Sequence, residues 1–400
     1  MGPLSGYRVL DLSRVLAGPW ASQIFADLGA EVIKIERPGK GDDTRAWGPP
    51  FVAESGISAY FCATNRGKKS VALDISKPEG QALVKKLAET SDVLLENFKV
   101  GGLAKLGLGP DELLKLNPKL VYCSITGFGQ TGPYRNRAGY DFLMQGMGGL
   151  MSVTGAADGE PMKAGVAVVD VLTGLYASNA VLAALLERER SGLGQHIDLA
   201  LFDVQIAAMA NQVSSYLVSG QQPPRWGNAH PSIVPYQVFP TEDGHIILAV
   251  GNDDQFARFV ALAGAPELAQ DERFATNPAR VKHREVLVPL LETLLKARLS
   301  QDWLEALEAQ GIPGGPINDF AAIDADPHVQ ARGIFKTLGP DLRCVASPMR
   351  FSRSHLQDDC TPPALGADTG QVLTSLLRLS EEEVQALRDQ NVIYTKSPKV

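Results

Sequence analysis

The sequence predicts an α/β protein: a parallel sheet with helices on both faces, joined to a smaller mixed unit. Through the first half of the chain, short β-branched runs alternate with longer amphipathic ones. Repeated strand–helix–strand units force parallel pairing, because the chain must cross back before each new strand. The polar, proline-rich "QQPPRWGNAHPS" then reads as a linker, and beyond it the pattern changes to a hairpin and several helices.

In order along the chain, "YRVLDLS" and "EVIKIER" read as buried strands. Between them, "GPWASQIFADLG" sets Trp20, Ile24, Phe25 and Leu28 at helical spacing. The strand "SVALDI", the helix "PEGQALVKKLAETS" and the strands "DVLLENF" and "LVYCSIT" follow. A long helix is expected from Asp170 to Arg190, with Leu172, Leu175, Tyr176, Val181, Leu182, Leu185 and Leu186 apolar. Past the linker, "YQVFPTEDGHIILAV" predicts a hairpin turning at Asp243-Gly244, followed by helices near 253–264, 283–297 and 301–310. Ser380 is placed to cap a last helix in "LSEEEVQAL".

Composition narrows the class. With 400 residues, 44% hydrophobic and 21% charged, the chain has room for more than one core. No continuous apolar run approaches the roughly 18 residues that span a bilayer, and the N-terminus has no leader pattern, so a cytoplasmic protein is expected. Cys62, Cys123, Cys344 and Cys360 are scattered without a C-x-x-C pair, which suggests buried thiols and no metal site. A net charge of -7 disfavours nucleic acid as the main partner and leaves room for a local basic pocket.

Residues 124–132, "SITGFGQTG", contain G-x-G-x-x-G, the dinucleotide fingerprint. A strand precedes it, but Pro133 and the turn-like "YRNRAGYD" stand where a helix must open. The glycines instead suggest an irregular loop that approaches a ligand or another backbone.

The ordered blocks "VLDLSRVLAGPWASQIFADLGAEVIKIERPGKGDDTR", "NRGKKSVALDI", "LLENFKVGGLAKLGLG", "NPKLVYCSITGFGQTGP", "AGYDFLMQGMGGLMSVTG" and "GVAVVDVLTGLYA", with the later "PPALGADTGQVL", resemble the family III CoA-transferases. "RWGNAHPSIVPYQVFPTEDG" and "GIPGGPIND" look most like the succinyl-CoA:glutarate branch. The resemblance implies a Rossmann-like large domain built from both chain ends, a small α+β domain and an interlocked homodimer. The corresponding boundaries are 1–211 for the first part of the large domain, 212–228 for a linker, 229–320 for the small domain and 321–400 for the return.

It also carries a nucleophile to Asp170 in "VVDVLTG". At the start of a helix, unpaired N–H groups favour an anion, so a low pKa is expected unless desolvation prevails. Read from the residue alone, Asp170 is first of all a helix N-cap, and it is the surrounding blocks that reverse this. A carboxylate nucleophile exchanges CoA through an anhydride and a thioester with no ATP or metal, so coenzyme A enters only as part of the substrate. Backbone amides of "GMGG" (146–149) or "AHPSI" (229–233) are candidates for the oxyanion, although the first also suits tight helix packing. By resemblance, Arg37 and Lys105 meet the nucleotide end of CoA, and Val15, Ala17, Leu73 and Asn97 line its slot. Arg66, Lys68 and Lys69 form a second basic cluster.

The α-methylacyl-CoA racemases share these blocks but need a histidine where this chain has Tyr140, and a phenol with pKa near 10 is a poor base at neutral pH. Tyr140 is therefore expected to orient the acyl group. A distal carboxylate needs a cation, and Arg225 with His230 and Ser232 are candidates, although they also suit structural roles between domains. A CoA-binding protein without catalysis is a further reading, disfavoured by the intact Asp170.

Overall fold

A computed structural model describes residues 1–395. In chain order come β1 (Arg8–Asp11), α1 (Ala17–Asp27), β2 (Glu31–Glu36), β3 (Lys69–Leu73), α2 (Pro78–Glu89), β4 (Val93–Glu96) and β5 (Val121–Thr126). These are followed by α3 (Asp141–Met147), α4 (Val168–Ser191), β6 (His196–Ala200) and α5 (Leu201–Ala208). Then come β7 (Tyr236–Pro240), β8 (His245–Ala249), α6 (Asp253–Leu262), α7 (Arg284–Leu295), α8 (Ser300–Ala309) and β9 (Gly314–Pro316). The chain closes with β10 (Phe335–Thr337), β11 (Arg343–Val345), α9 (Thr369–Leu377), α10 (Glu381–Asp389) and β12 (Ile393–Tyr394).

Two compact units form. The larger contains Met1–Leu150, Ala164–Leu217 and the described residues from His328 onward; the smaller contains Met151–Lys163 and Val218–Pro327. Residues 151–163, expected in the large domain, belong to the smaller unit because Arg225 donates to the carbonyls of Ala156 (3.1 Å) and Gly159 (2.6 Å). Much of the expected linker is there too, and part of it is helical, at Ala210–Ser219.

In the large unit a seven-stranded sheet runs β12-β3-β2-β1-β4-β5-β6, all parallel except β12, which pairs antiparallel with β3. Successive strands move outward from β1 to β3, then restart at β4 on the other side of β1. The connections leaving β1 and β4 diverge and open a crevice at their carboxyl ends. Neighbouring residues face opposite ways, so Val9, Val93 and Val121 join one core with Phe25 and Val181, while Leu10, Leu94 and Tyr122 join another with Leu83 and Leu87. A sheet buried on both faces has no solvent side, which explains why its strands are apolar at most positions.

By length and composition alone, helix α4 is long and apolar enough to cross a membrane. A search for unbroken apolar runs misses it because Thr173, Ser178 and Asn179 interrupt the run. Its Val169, Ala177, Val181 and Leu185 are buried in the core that holds Phe25 of α1 and Val121 of β5.

The smaller unit is an antiparallel β7-β8-β9 sheet packed with α6, α7 and α8 around Phe239, Leu248, Phe259, Leu291 and Trp303. Its hairpin turns at Asp243-Gly244, where Thr241 N–H donates to Gly244 O (2.9 Å). At the far end of the chain, Ser380 and Glu383 form a capping box on α10.

Candidate active site at the crevice beside β1 and β4

Two cavities open at the carboxyl ends of the parallel strands. One, of about 220 Å³, is lined by Val15 and Ala17 after β1, Asn97 after β4, Gly127 after β5, and by Tyr140 and Asp170. The other, of about 520 Å³, lies at the ends of β2 and β3 and is lined by Arg37 and Leu73; Arg14 and Phe98 border both. The fold thus gathers Asp170, Tyr140, Val15, Ala17 and Asn97 at one cavity and Arg37 and Leu73 at its neighbour. Lys105 lies exposed on a turn after β4 and lines neither.

The loop glycines find their reason here. Gly127 and Gly139 pass backbone to backbone on the cavity wall, so that a Cβ on Gly127 would sit 2.7 Å from the Gly139 Cα. Gly129 takes a φ of +84° and donates its N–H to Thr126 Oγ1 (2.9 Å). Gly148 of "GMGG" has spent its N–H on Met144 O (2.8 Å) and its Cα faces Gln205, a packing role.

Asp170 is the third residue of α4. The amides expected to stabilise its charge are taken by Asp141, whose Oδ1 accepts from Val169 N–H (2.8 Å) and Asp170 N–H (3.3 Å). Gln145 Nε2 holds the other Asp141 oxygen at 2.6 Å, while its own Oε1 accepts from Ala164 N–H at 2.8 Å. Burial first, and the Asp141 charge second, push the Asp170 carboxyl up to about 7. The expected low pKa is therefore corrected: desolvation prevails, and another carboxylate occupies the helix terminus.

Asp141 is a residue that sequence reasoning missed; the only hint was its place between Tyr140 and Gln145 in "AGYDFLMQG". Arg135 and Arg137 were missed too, because "YRNRAGYD" reads as a mere turn, and so was Lys99 after β4, yet all three line the cavity of Asp170. Asn97 does more than line it. Its Oδ1 accepts from Arg14 N–H (2.9 Å) and its Nδ2 donates to Arg14 O (2.7 Å), clamping the turn after β1. In the basic cluster, Arg66 pairs with Asp27 (2.6 Å) and buried Lys68 with Asp11 (3.2 Å), so both hold the fold together.

The profile of CoA-transferase family III matches residues 4–369. The chain belongs to that family. It is 54% identical over 382 residues, 94% of this chain and 96% of the other, to a succinate–glutarate CoA-transferase of Agrobacterium fabrum. It is 41% identical over 395 residues, 98% of this chain and 90% of the other, to the human succinyl-CoA:glutarate CoA-transferase. A crystal structure of a CAIB/BAIF family protein from Brucella suis superposes with a TM-score of 0.85 at 50% identity, covering 94% of this chain and 99% of that one.

In this family III CoA-transferase the three residues expected to recognise substrate lie in the smaller unit. Arg225 is engaged with carbonyls as described, His230 Nδ1 accepts from Ser232 N–H (3.0 Å), and the His230 ring packs on Tyr236 at 5.3 Å. His230 N–H also donates to Tyr236 O (2.9 Å), so this part of "AHPSI" has used its amides locally.

Proposed function

We propose that the protein moves CoA from succinyl-CoA to glutarate or another short dicarboxylic acid, with Asp170 as nucleophile. The observation that carries this is a carboxylate held in a cavity at the crevice of the parallel sheet, in a chain 54% identical to a succinate–glutarate CoA-transferase. Ionised Asp170 attacks the thioester carbonyl of the donor, giving a mixed anhydride and CoA thiolate. The thiolate attacks the aspartyl carbonyl, releasing succinate and leaving an aspartyl-CoA thioester. The acceptor carboxylate then attacks this thioester, and the freed thiolate takes the acceptor acyl group from the second anhydride, restoring Asp170. A carboxyl pushed up to about 7 is a more basic nucleophile than an ordinary aspartate and still substantially ionised near neutral pH.

In this scheme Arg37 and Lys105 meet the nucleotide end of CoA, Val15, Ala17, Leu73 and Asn97 border its slot, and Tyr140 orients the acyl group. Arg225, His230 and Ser232 remain the candidates for the distal carboxylate. The working form is an interlocked homodimer. Exposed Leu175, Tyr176 and Leu186 on α4 and Ile206 on α5 support an apolar surface that a second copy would cover. Light scattering should then give twice the 42.8 kDa chain mass, and a monomer would count against it.

Incubation with succinyl-CoA and a pool of short acids, with every new acyl-CoA identified by mass, tests the reaction. Glutaryl-CoA as the dominant product is expected; a different product would rename the acceptor, and none would remove the reading. Asp170→Ala should abolish transfer and leave CoA affinity nearly intact. Substantial residual turnover would take Asp170 out of the role.

A further inference from the structure

The turn after β1 is held in a conformation its sequence resists. Val15, a β-branched residue, has a φ of +72°, a region where such side chains are genuine outliers. Backbone strain of this kind persists only where the surroundings impose it, and three side chains do so here. Both Asp42 oxygens lie 3.3 Å from Val15 N–H. Lys34, paired with Asp42 at 2.9 Å with both side chains fully buried, donates to Ser13 O at 2.7 Å. Asn97 clamps the amide and the carbonyl of Arg14 between them. Asp42 is itself fixed by Thr44, whose N–H (3.0 Å) and Oγ1 (2.8 Å) both donate to its Oδ1, and by Glu36, which accepts from Asp42 N–H at 2.9 Å.

A buried ion pair is a poor device for stability, since apolar side chains of similar volume often serve as well or better. This pair instead directs its hydrogen bonds at one strained turn, and that turn borders both cavities through Arg14 and the Asp170 cavity through Val15 and Leu16. We propose that Lys34 and Asp42 are positioning residues for acyl-CoA, holding the 13–16 turn, with Val15 in left-handed backbone, in the shape that receives the coenzyme. This rests on acyl-CoA entering these cavities. Preorganisation is the benefit: the ordering cost of the turn is met during folding and not at binding.

Glycine adopts positive φ freely, so the clamp matters less when Val15 is replaced by Gly. The test is a double-mutant cycle on the full-length protein, reading CoA affinity by calorimetry and both KM values by steady-state kinetics. Asp42→Asn should weaken CoA binding and raise KM for succinyl-CoA by about tenfold, with KM for glutarate changed by less than about twofold. In the Val15→Gly background the same Asp42→Asn change should cost less than about threefold in CoA affinity. Equal losses in both backgrounds, no loss at all, or matched rises in both KM values would overturn the proposal. Should Asp42→Asn fail to fold, Asn97→Ala, which loosens the same turn from the cavity side, takes its place with the same outcomes required. Wild-type protein that binds no CoA would overturn the acyl-CoA reading itself, whereas wild-type binding with no coupling between the two positions would overturn only the clamp.

Discussion

At the scale of single residues, Asp141 and Asp170 divide the chemistry of one helix terminus. Asp141 accepts the amides and Asp170, left without them, is pushed up to about 7 by burial and by its neighbour's charge. As the proposed nucleophile, Asp170 must be ionised, so kcat/KM for succinyl-CoA should rise with pH through about 7. Asp141→Asn keeps an oxygen for the two amides and removes the charge, so this rising limb should move to lower pH. A limb that stays in place would mean burial alone sets the pKa. Asp170, which lines the cavity, could be singled out as a candidate from the sequence because a motif frames it. Asp141 was not, because its role depends on which helix start the fold carries to it, and that start lies in a separate sequence block.

Among the elements, α4 sets the position of Asp170 and α1 sets the position of α4. They pack tightly at Gly174, where a Cβ would sit 2.8 Å from Ala17 O and 2.9 Å from the Trp20 ring. Gly174→Ala should therefore separate the helices, costing about 1–3 kcal/mol by overpacking and lowering kcat as Asp170 shifts. Thermal melts and initial rates check both, and an unchanged rate in a destabilised variant would detach the helix contact from catalysis. Helix α4 was legible almost to its ends, expected at 170–190 and found at Val168–Ser191, because its apolar spacing is long. Strands β10 and β11, three residues each, were not legible: so few positions cannot display an alternation, and only their pairing, Phe335 opposite Val345, defines them.

In the molecule as a whole, charge is distributed against the net balance. A chain of net charge -7 sets Arg14, Lys99, Arg135 and Arg137 around the cavity of Asp170, with Asp43 and Asp170 as the acidic members. A polyanionic acyl-CoA approaching such a site is drawn by a field that salt screens, so KM for succinyl-CoA should climb as ionic strength rises from about 0.01 to 0.5 M. A flat response would place the phosphates elsewhere. Strand order is a property periodicity does not encode, so the crevice beside β1 and β4 is visible only in the folded sheet. The smaller unit's boundaries depended on Arg225 reaching carbonyls at Ala156 and Gly159, a contact no local pattern announces. The same sheet also has a history in time. Strand β3 acquires its outer neighbour only through β12, Ile393 beside Leu73, so on the ribosome that partner emerges about 320 residues later. Throughout synthesis the nascent protein presents an unpaired apolar edge, and that long interval is when it is most prone to join the edge of another unfinished chain.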